Sequence, residues 1–540
     1  MTATLWWRGA VIYEIYPRSF MDSNDDGVGD LPGIIEKLEY VASLGVDAIW
    51  ISPFFTSPMH DFGYAVADYR NVDPLFGCLD DFDRLLTKAH DLGLKVMIDQ
   101  VLSHTSSEHE WFKESRASRE NARANWYVWA DPQPDGTPPN NWLSIFGGVA
   151  WQWEPRRQQY YLHNFLASQP DLNFHEPAVR TAVLDTVKFW LDRGVDGLRL
   201  DAINFCYHDA QLRDNPAKPI EQRTGRGFRT DNPYAFQHHL FNNTQPENLG
   251  FLTQLRELLD HYPQAVSLGE ISSEDSLATM AEYLGERRLH MGYSFELLTS
   301  EFSATHIRAT VEQLEAKLDG GWPCWAISNH DVERVVSRWG GTNPSTQLAT
   351  LLTALVCSLR GSVCIYQGEE LGLPEADVPY EALQDPYGLT FWPSFKGRDG
   401  CRTPMPWNDS AHGGFSRARP WLPTPQAHRV ASVERQHANP CSTLNAFRAF
   451  MRWRSTQATL RLGSIDFLSM PEPILAFVRT TNEHSMFVAF NLSSDPVESL
   501  VYDTGKLTPL AVPGIASGTI QHGRIALPPH GALFATIHRE

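Results

Sequence analysis

Short apolar runs alternate with helix-length amphipathic stretches along the first two-thirds of this chain, and few architectures satisfy that rhythm. Strand candidates fall at 11–16, 46–53, 94–101, 197–201, 265–270, 292–295, 324–329 and 362–367, rich in Val, Ile, Leu and aromatic residues. Between them, apolar residues recur at helical spacing near 31–44, 80–92, 176–193, 246–262, 304–318 and 344–359. Strands alternating with helices join as parallel units, and eight such units close into a barrel with the helices outside. The expected fold is therefore α/β, a (β/α)8 barrel over 1–104 and 172–458.

Three stretches interrupt the rhythm, each after a strand. Residues 105–171, rich in Trp, Pro, Asn and Gly, are too long for a plain loop and predict a small inserted domain. Irregular excursions also follow strand four (206–245) and strand eight (368–440). All three leave from the carboxyl-terminal rim, where such barrels place their chemistry. From 459 to 540 the pattern becomes short alternating runs (IDFLSM, ILAFVRTT, SMFVAFNLSS, RIALPPHGALFATI), predicting a separate antiparallel β-sandwich without helices.

The formal net charge of −19 argues against nucleic acid or an anionic membrane surface as partner, because both reward a basic patch. A neutral small-molecule substrate fits better, and the oligomeric state is left open. No apolar run approaches the ~18 residues of a membrane span, and MTATLWWRGAVIYEIYP lacks the basic-then-apolar order of an export signal. Seven cysteines are scattered without C-x-x-C spacing, which predicts reduced thiols and, with the preceding point, a cytoplasmic location.

Several strand candidates end in ionisable groups: Asp99 with His104, Arg199 with Asp201, Glu270, and Asn329-His330-Asp331. A core needs none of these there, since charged groups are costly to bury unless paired or used. Side chains alternate along a strand, so Arg199 and Asp201 share a face, and the guanidinium is expected to keep Asp201 ionised with a lowered pKa. Glu270 follows the apolar run AVSLG with no cation near it in sequence, which predicts a raised pKa and a proton donor. Three acids at one rim suit glycoside chemistry: Asp201 as nucleophile, Glu270 as acid/base, Asp331 as stabiliser of the developing oxocarbenium. Separately, Asp22, Asn24, Asp26, the Val28 carbonyl and Asp30 are spaced like the first nine positions of a calcium loop, with Gly27 at the turn. Position twelve is Gly33 instead of Glu, so a looser structural Ca²⁺ or Mg²⁺ site is expected, and no organic cofactor.

The ordered set DQVLSH (99–104), GLRLDAI (197–203), LGE (268–270) and ISNHD (327–331) resembles the signature regions of glycoside hydrolase family 13, the α-amylase superfamily. QPDLN (169–173) is similar to the motif of its oligo-1,6-glucosidase subfamily, which includes α-glucosidases acting from the non-reducing end. The resemblance implies a barrel with an inserted domain B, a C-terminal β domain and a retaining mechanism. By position it also implies Asp201, Glu270 and Asp331 as the catalytic acids, with Arg199, His104 and His330 as their hydroxyl-binding partners. Asp61 and Tyr64 would hold and stack the terminal glucose, Arg398 would reach it, and Phe146 and Phe165 would wall the pocket. Asp22 to Asp30 matches the subfamily's metal loop.

Two departures stand out. Ser103 replaces an Asn that ligates an interdomain calcium in true α-amylases, so that ion is not expected, and Ala65 replaces the Asp of G-Y-D. Ala202, small where enzymes cutting α-1,6 bonds usually carry Val, implies an α-1,4 preference. The expected activity is hydrolysis, with transfer to sugar or alcohol acceptors, of small α-glucosides such as maltose. A sucrose or maltose isomerase or trehalose synthase would use the same covalent chemistry. A catalytically inactive scaffold of the same family would require lost carboxylates and a membrane segment, and the sequence has neither.

Overall fold

A computed structural model describes residues 5–223, 232–342, 344–502 and 505–538. Eight strands form a closed parallel barrel: β1 (Val11–Ile15), β2 (Ala48–Ile51), β3 (Lys95–Val101), β4 (Gly197–Asp201), β5 (Val266–Ile271), β6 (Met291–Ser294), β7 (Trp322–Ala326) and β8 (Ser362–Tyr366). Each pairs with its sequence neighbours, and Val11 opposite Val363 closes the ring. Strand seven ends at Ala326, so Asn329, His330 and Asp331 sit on the loop beyond it.

Alternation along the strands divides the core into two layers. Ile12, Met97, Leu268 and Cys324 fill the barrel interior, while Val11, Tyr13, Leu198 and Leu200 pack outward against helices. Gly197 sits in the inner layer because a Cβ there would lie 2.8 Å from Met97 Cγ and 3.1 Å from Val266 Cγ2. Arg199 and Asp201 share its inward parity, as the spacing predicts.

The helices around the barrel are α1 (Leu31–Ser43), α2 (Leu79–Asp91), α3 (Pro177–Asp192), α4 (Asn248–Leu259), α5 (Ser276–Tyr283), α6 (Ala304–Lys317), α7 (Thr346–Val356) and α8 (Thr443–Ser455). In α1, Leu31, Ile34, Leu38 and Val41 are buried at helical spacing, Pro32 occupies the first turn, and Asp30 caps it by accepting the Gly33 N–H. Helix α5 spans only two turns, too short for its period to stand out in the sequence. Helix α8 completes the last unit after the long excursion from β8.

The inserted segment carries a three-stranded antiparallel sheet (Trp129–Ala130, Gln159–Leu162, Trp151–Glu154) and one short helix, Glu110–Ser115. The C-terminal unit is a sandwich: β9 (Ser464–Leu468), β10 (Ile474–Thr480), β11 (Ser485–Asn491), β12 (Val497–Leu500), β13 (Lys506–Pro509), β14 (Thr519–Gln521), β15 (Arg524–Leu527) and β16 (Ala532–His538). A five-stranded sheet, β9-β10-β11-β16-β13, faces a three-stranded one, β12-β15-β14. A short helix, Ala458–Leu462, precedes it, where the sequence pattern predicts none. Phe487, Ala489 and Leu533 pack between the sheets, while Val488, Phe490 and Phe534 pack with the barrel, and Phe534 meets Trp453 of α8 edge-on at 5.3 Å. Burial on both faces explains why β11 reads as an unbroken apolar run.

Candidate active site

At the carboxyl-terminal rim a pocket is lined by Asp61, Tyr64, His104, Phe146, Phe165, Asp201, Ala202, Glu270, Asp331 and Arg398, with Ile145, Gln169, Phe205, Ser272, Phe295 and Tyr387 between them. Arg199 and His330, fully buried, form the layer beneath. The chain thus gathers residues from the ends of β4 and β5, the loops after β2, β3, β6 and β7, and the excursions at 105–171 and 368–440. Residues 224–231 of the 206–245 excursion lie outside the described residues.

Arg199 is the hub of the floor. Its Nη1 donates to both Asp99 oxygens at 3.0 Å and to Asp201 Oδ1 at 2.7 Å. Its Nη2 donates to Tyr293 Oη at 2.9 Å and lies 2.5 Å from Glu270 Oε1. The guanidinium carbon stands 4.8 Å from the Trp50 ring centroid, inside the barrel mouth. One cation therefore serves three carboxyls. Glu270 has both oxygens engaged: Tyr293 Oη donates to Oε1 at 3.0 Å and the Ala202 N–H to Oε2 at 3.1 Å. Asp201 Oδ2 takes no hydrogen bond among the described residues, and Asp201 remains 9% exposed at the pocket surface.

This sharing corrects the electrostatic expectation drawn from the sequence. Burial pushes Asp201 up to about 7, and the neighbouring Arg199 offsets only part of that. Burial likewise pushes Glu270 up to about 7 and Asp99 up to about 6, with Arg199 opposing. Glu270 is raised as expected, yet not for want of a cation: Arg199 reaches it from the adjacent strand. The acid held low is Asp331. Burial would raise it too, but His330 Nε2 at 3.3 Å, Arg398 Nη1 at 3.0 Å and Arg402 Nη2 at 2.8 Å outweigh burial and keep it well below the usual carboxylate range.

The far end of the pocket is closed by a second network. Arg398 Nη2 donates to Asp61 Oδ1 and to Asp385 Oδ1, both at 2.8 Å, and its Nε donates to Asp385 Oδ2 at 3.1 Å. Gln169 Nε2 donates to the other Asp61 oxygen at 3.2 Å and to the Tyr64 carbonyl at 3.3 Å. The Tyr64 ring stacks on His330 at 5.3 Å and 8°, and its hydroxyl meets His330 Nε2 at 2.7 Å. Burial pushes His330 down to about 3 and His104 down to about 4, so both rings are neutral near pH 7. Ser103, where the family motif has Asn, lies 3.0 Å through its hydroxyl from His104 Nδ1 and orients that ring.

Asp385, Arg402, Tyr293, Tyr387 and Glu14 escape the sequence reading. Only Glu14 carried a signal, an acid inside the apolar run VIYEIY. It is fully buried and lies 2.5 Å from His330 Nδ1.

The acidic loop at 22–30 does not line this pocket. Asp22 accepts the amides of Asn24, Asp25 and Gly27, Asn24 accepts Asp26 N–H, and Asp26 accepts Val28 N–H, a chain of turns closed by its own oxygens. Asp30 spends one oxygen on the α1 cap and the other on Ser23. Its oxygens are hard donors of the type that Ca²⁺ or Mg²⁺ takes. Among the described residues no cluster of three or more His, Cys, Asp or Glu is arranged to hold an ion.

A (β/α)8 barrel with three acids at its rim, two of them buried, a pocket closed at one end by an arginine and two carboxylates, and aromatic walls defines an enzyme of the glycoside hydrolase class. The profile of the α-amylase catalytic domain matches residues 14–463, and the chain belongs to that family. It is 52% identical over 536 residues to a probable α-glucosidase of Rhizobium meliloti, covering 98% of this chain and 97% of the relative. It is 36% identical to an oligo-1,6-glucosidase of Heyndrickxia coagulans, covering 92% and 93%. The crystal structure of an α-glucosyl transfer enzyme superposes with a TM-score of 0.98 at 65% identity, covering 99% of this chain and all of that one.

Proposed function

We propose that this enzyme is a retaining exo-α-glucosidase that releases, and also transfers, non-reducing terminal α-glucosyl units of small substrates, α-1,4-linked ones in preference. The observation that carries this reading is the pair of carboxyls, Asp201 and Glu270, bridged by one guanidinium beside a pocket closed by Arg398 and Asp61. Bridging by a single side chain favours the short carboxyl separation of retaining enzymes, about 5–5.5 Å, over the ~6.5–9.5 Å of inverting ones. A closed end admits a terminal sugar and excludes a continuing chain.

Asp201, with one oxygen free toward the pocket, is the nucleophile on the anomeric carbon. Glu270, protonated below its raised pKa, gives its proton to the leaving oxygen, then takes one from the incoming water or acceptor hydroxyl as the glucosyl–Asp201 ester breaks. Asp331, kept ionised by Arg398 and Arg402, binds hydroxyls as positive charge develops, while Asp61, Tyr64, His104 and Arg398 hold the glucose, and Phe146 and Phe165 wall it. Ala202 sits at φ 39° and ψ 45°, its methyl bordering the pocket directly after the nucleophile. A methyl there leaves room for an α-1,4 leaving sugar that a β-branched side chain would crowd. The Asp22–Asp30 loop is proposed to hold a structural Ca²⁺ or Mg²⁺ remote from the chemistry, and the seven free thiols support a cytoplasmic setting. Incubation with maltose, isomaltose, sucrose and trehalose, with all products identified, tests the reading. Glucose and glucosyl-transfer products from maltose are expected, and rearranged disaccharides alone would replace hydrolysis with isomerisation.

A further inference from the structure

Two excursions, 105–171 and 368–440, wall the pocket, and one buried side chain of the third, 206–245, joins them from behind. Asn232, 0% exposed, belongs to the excursion after β4. One of its amide hydrogens goes to the Ile145 carbonyl of the inserted segment at 2.8 Å, and the other to the Tyr387 hydroxyl of the excursion after β8 at 3.0 Å. Its Oδ1 accepts the Tyr234 N–H at 3.0 Å, closing the turn that fixes its own backbone. A primary amide has two donor hydrogens, and both are spent across loop boundaries.

Ile145, Phe146 and Tyr387 all line the pocket. The Phe146 and Tyr387 rings meet at 5.5 Å and 63°, and Phe146 lies 5.3 Å from the Arg398 guanidinium carbon. Tyr387 follows Asp385, whose carboxylate caps the short helix Pro386–Phe391 at the Tyr387 N–H and also grips Arg398. The aromatic wall and the arginine at the closed end are therefore parts of one assembly, and among the described residues Asn232 links it to the β4 side, reaching both other loops through a single group. Replacing Asn232 would remove the bonds to the Ile145 carbonyl and the Tyr387 hydroxyl while touching none of the three acids.

We infer that Asn232 is a positioning residue that sets the width of the substrate pocket by holding the Ile145–Phe146 wall against Tyr387, and so determines substrate affinity without entering the chemistry. The inference rests on the α-glucosidase reading above. Losing one or both hydrogen bonds is expected to raise KM for maltose several-fold, within the range of one to two neutral hydrogen bonds, with kcat within twofold of wild type.

Two variants test it. Asn232→Ala removes both links, and Tyr387→Phe removes only the hydroxyl, keeping the ring and sparing the fold. Steady-state kinetics on maltose should show KM raised in both, more in Asn232→Ala, with kcat retained. The double variant should raise KM by less than the two single changes combined, because they share the Asn232–Tyr387 hydrogen bond. Deuterium uptake should rise together in segments 142–149 and 385–395 of Asn232→Ala, a readout independent of turnover. Wild-type KM in both variants would overturn the inference, as would a fall in kcat at constant KM. Wild-type enzyme that cleaves no α-glucoside would instead overturn the functional reading, and unchanged deuterium uptake would then dispose of the cross-loop link as well.

Discussion

Replacing Glu270 by Gln should abolish turnover and yet stabilise the protein, and the stabilisation should be absent in acid and grow as pH rises. Burial lifts the Glu270 pKa from 4.5 to about 7, so ionising it in the folded chain costs about 3 kcal/mol more than in the unfolded chain. The sign follows from linkage. With a raised folded pKa the native state holds the proton longer, so stability falls as pH rises from about 4.5 and levels off above about 7. Gln avoids that loss but pays elsewhere. Both Glu270 oxygens now accept hydrogen bonds, and an amide must turn its NH₂ toward either the Ala202 N–H or the Arg199–Tyr293 donors, a cost of about 1 kcal/mol. At pH 5 the two effects nearly cancel. At pH 8 the variant should be ahead by about 2 kcal/mol, a few degrees in melting temperature. Calorimetric melts of both proteins at pH 5, 6, 7 and 8 read this directly. A difference that does not grow with pH, or a variant less stable at pH 8, would refute the assignment of a buried, proton-holding Glu270.

Asp201→Asn should lose several powers of ten in kcat with its melting temperature held at or above that of wild type, and proton NMR during early turnover of the native enzyme should show α-glucose as first product; β-glucose would exclude retention. A chelator should lower the melting temperature more than the initial rate if the Asp22–Asp30 loop holds an ion, and an unchanged melt with no metal by elemental analysis would remove the site. Maltose should show higher kcat/KM than isomaltose, and Ala202→Val should move the ratio toward isomaltose. That substitution should also lower stability by about 1–2 kcal/mol, because a β-branched side chain is forced into the left-handed backbone region at φ 39°. Rates unmoved by the change would place specificity elsewhere on the rim.

The barrel was legible because its strands are buried on both faces and its outer helices repeat at one spacing. What failed to read out was length and distance. Helix α5 is too short to display a period, and α8 stands behind an excursion that hides its place in the series. In the C-terminal unit, Val497–Leu500, Lys506–Pro509 and Thr519–Gln521 alternate partly buried and exposed positions with few strong apolar residues, so three of its eight strands left little trace. At the site, residues on strand ends announced themselves as charges where a core needs none. Asp385, Arg402 and Asn232 did not, because they sit in irregular sequence where polar residues are ordinary, and only the fold brings them to the pocket. The sign of the Asp201 shift was misread for a related reason. Sequence shows Arg199 two residues away but cannot show how far burial raises Asp201, nor that Asp99 and Glu270 claim the same guanidinium from neighbouring strands.

That division of cations organises the whole pocket. Around Arg199, one guanidinium faces three carboxyls, Asp99, Asp201 and Glu270, the first fully enclosed and the other two open only to the pocket. Around Arg398 and Arg402, two guanidiniums face three carboxyls, Asp61, Asp331 and Asp385. The first group is buried and short of positive charge, so a proton resides there near neutral pH, where the proposed mechanism requires one. The second is better supplied: Asp331 is held low, and Asp385 is lowered too, Arg398 outweighing burial. In the proposed mechanism the ionised acids there accept from sugar hydroxyls and do not compete for the proton. The same residue type thus does two jobs within one pocket, and the count of arginines in reach of each group, more than the identity of any single acid, decides which job falls where.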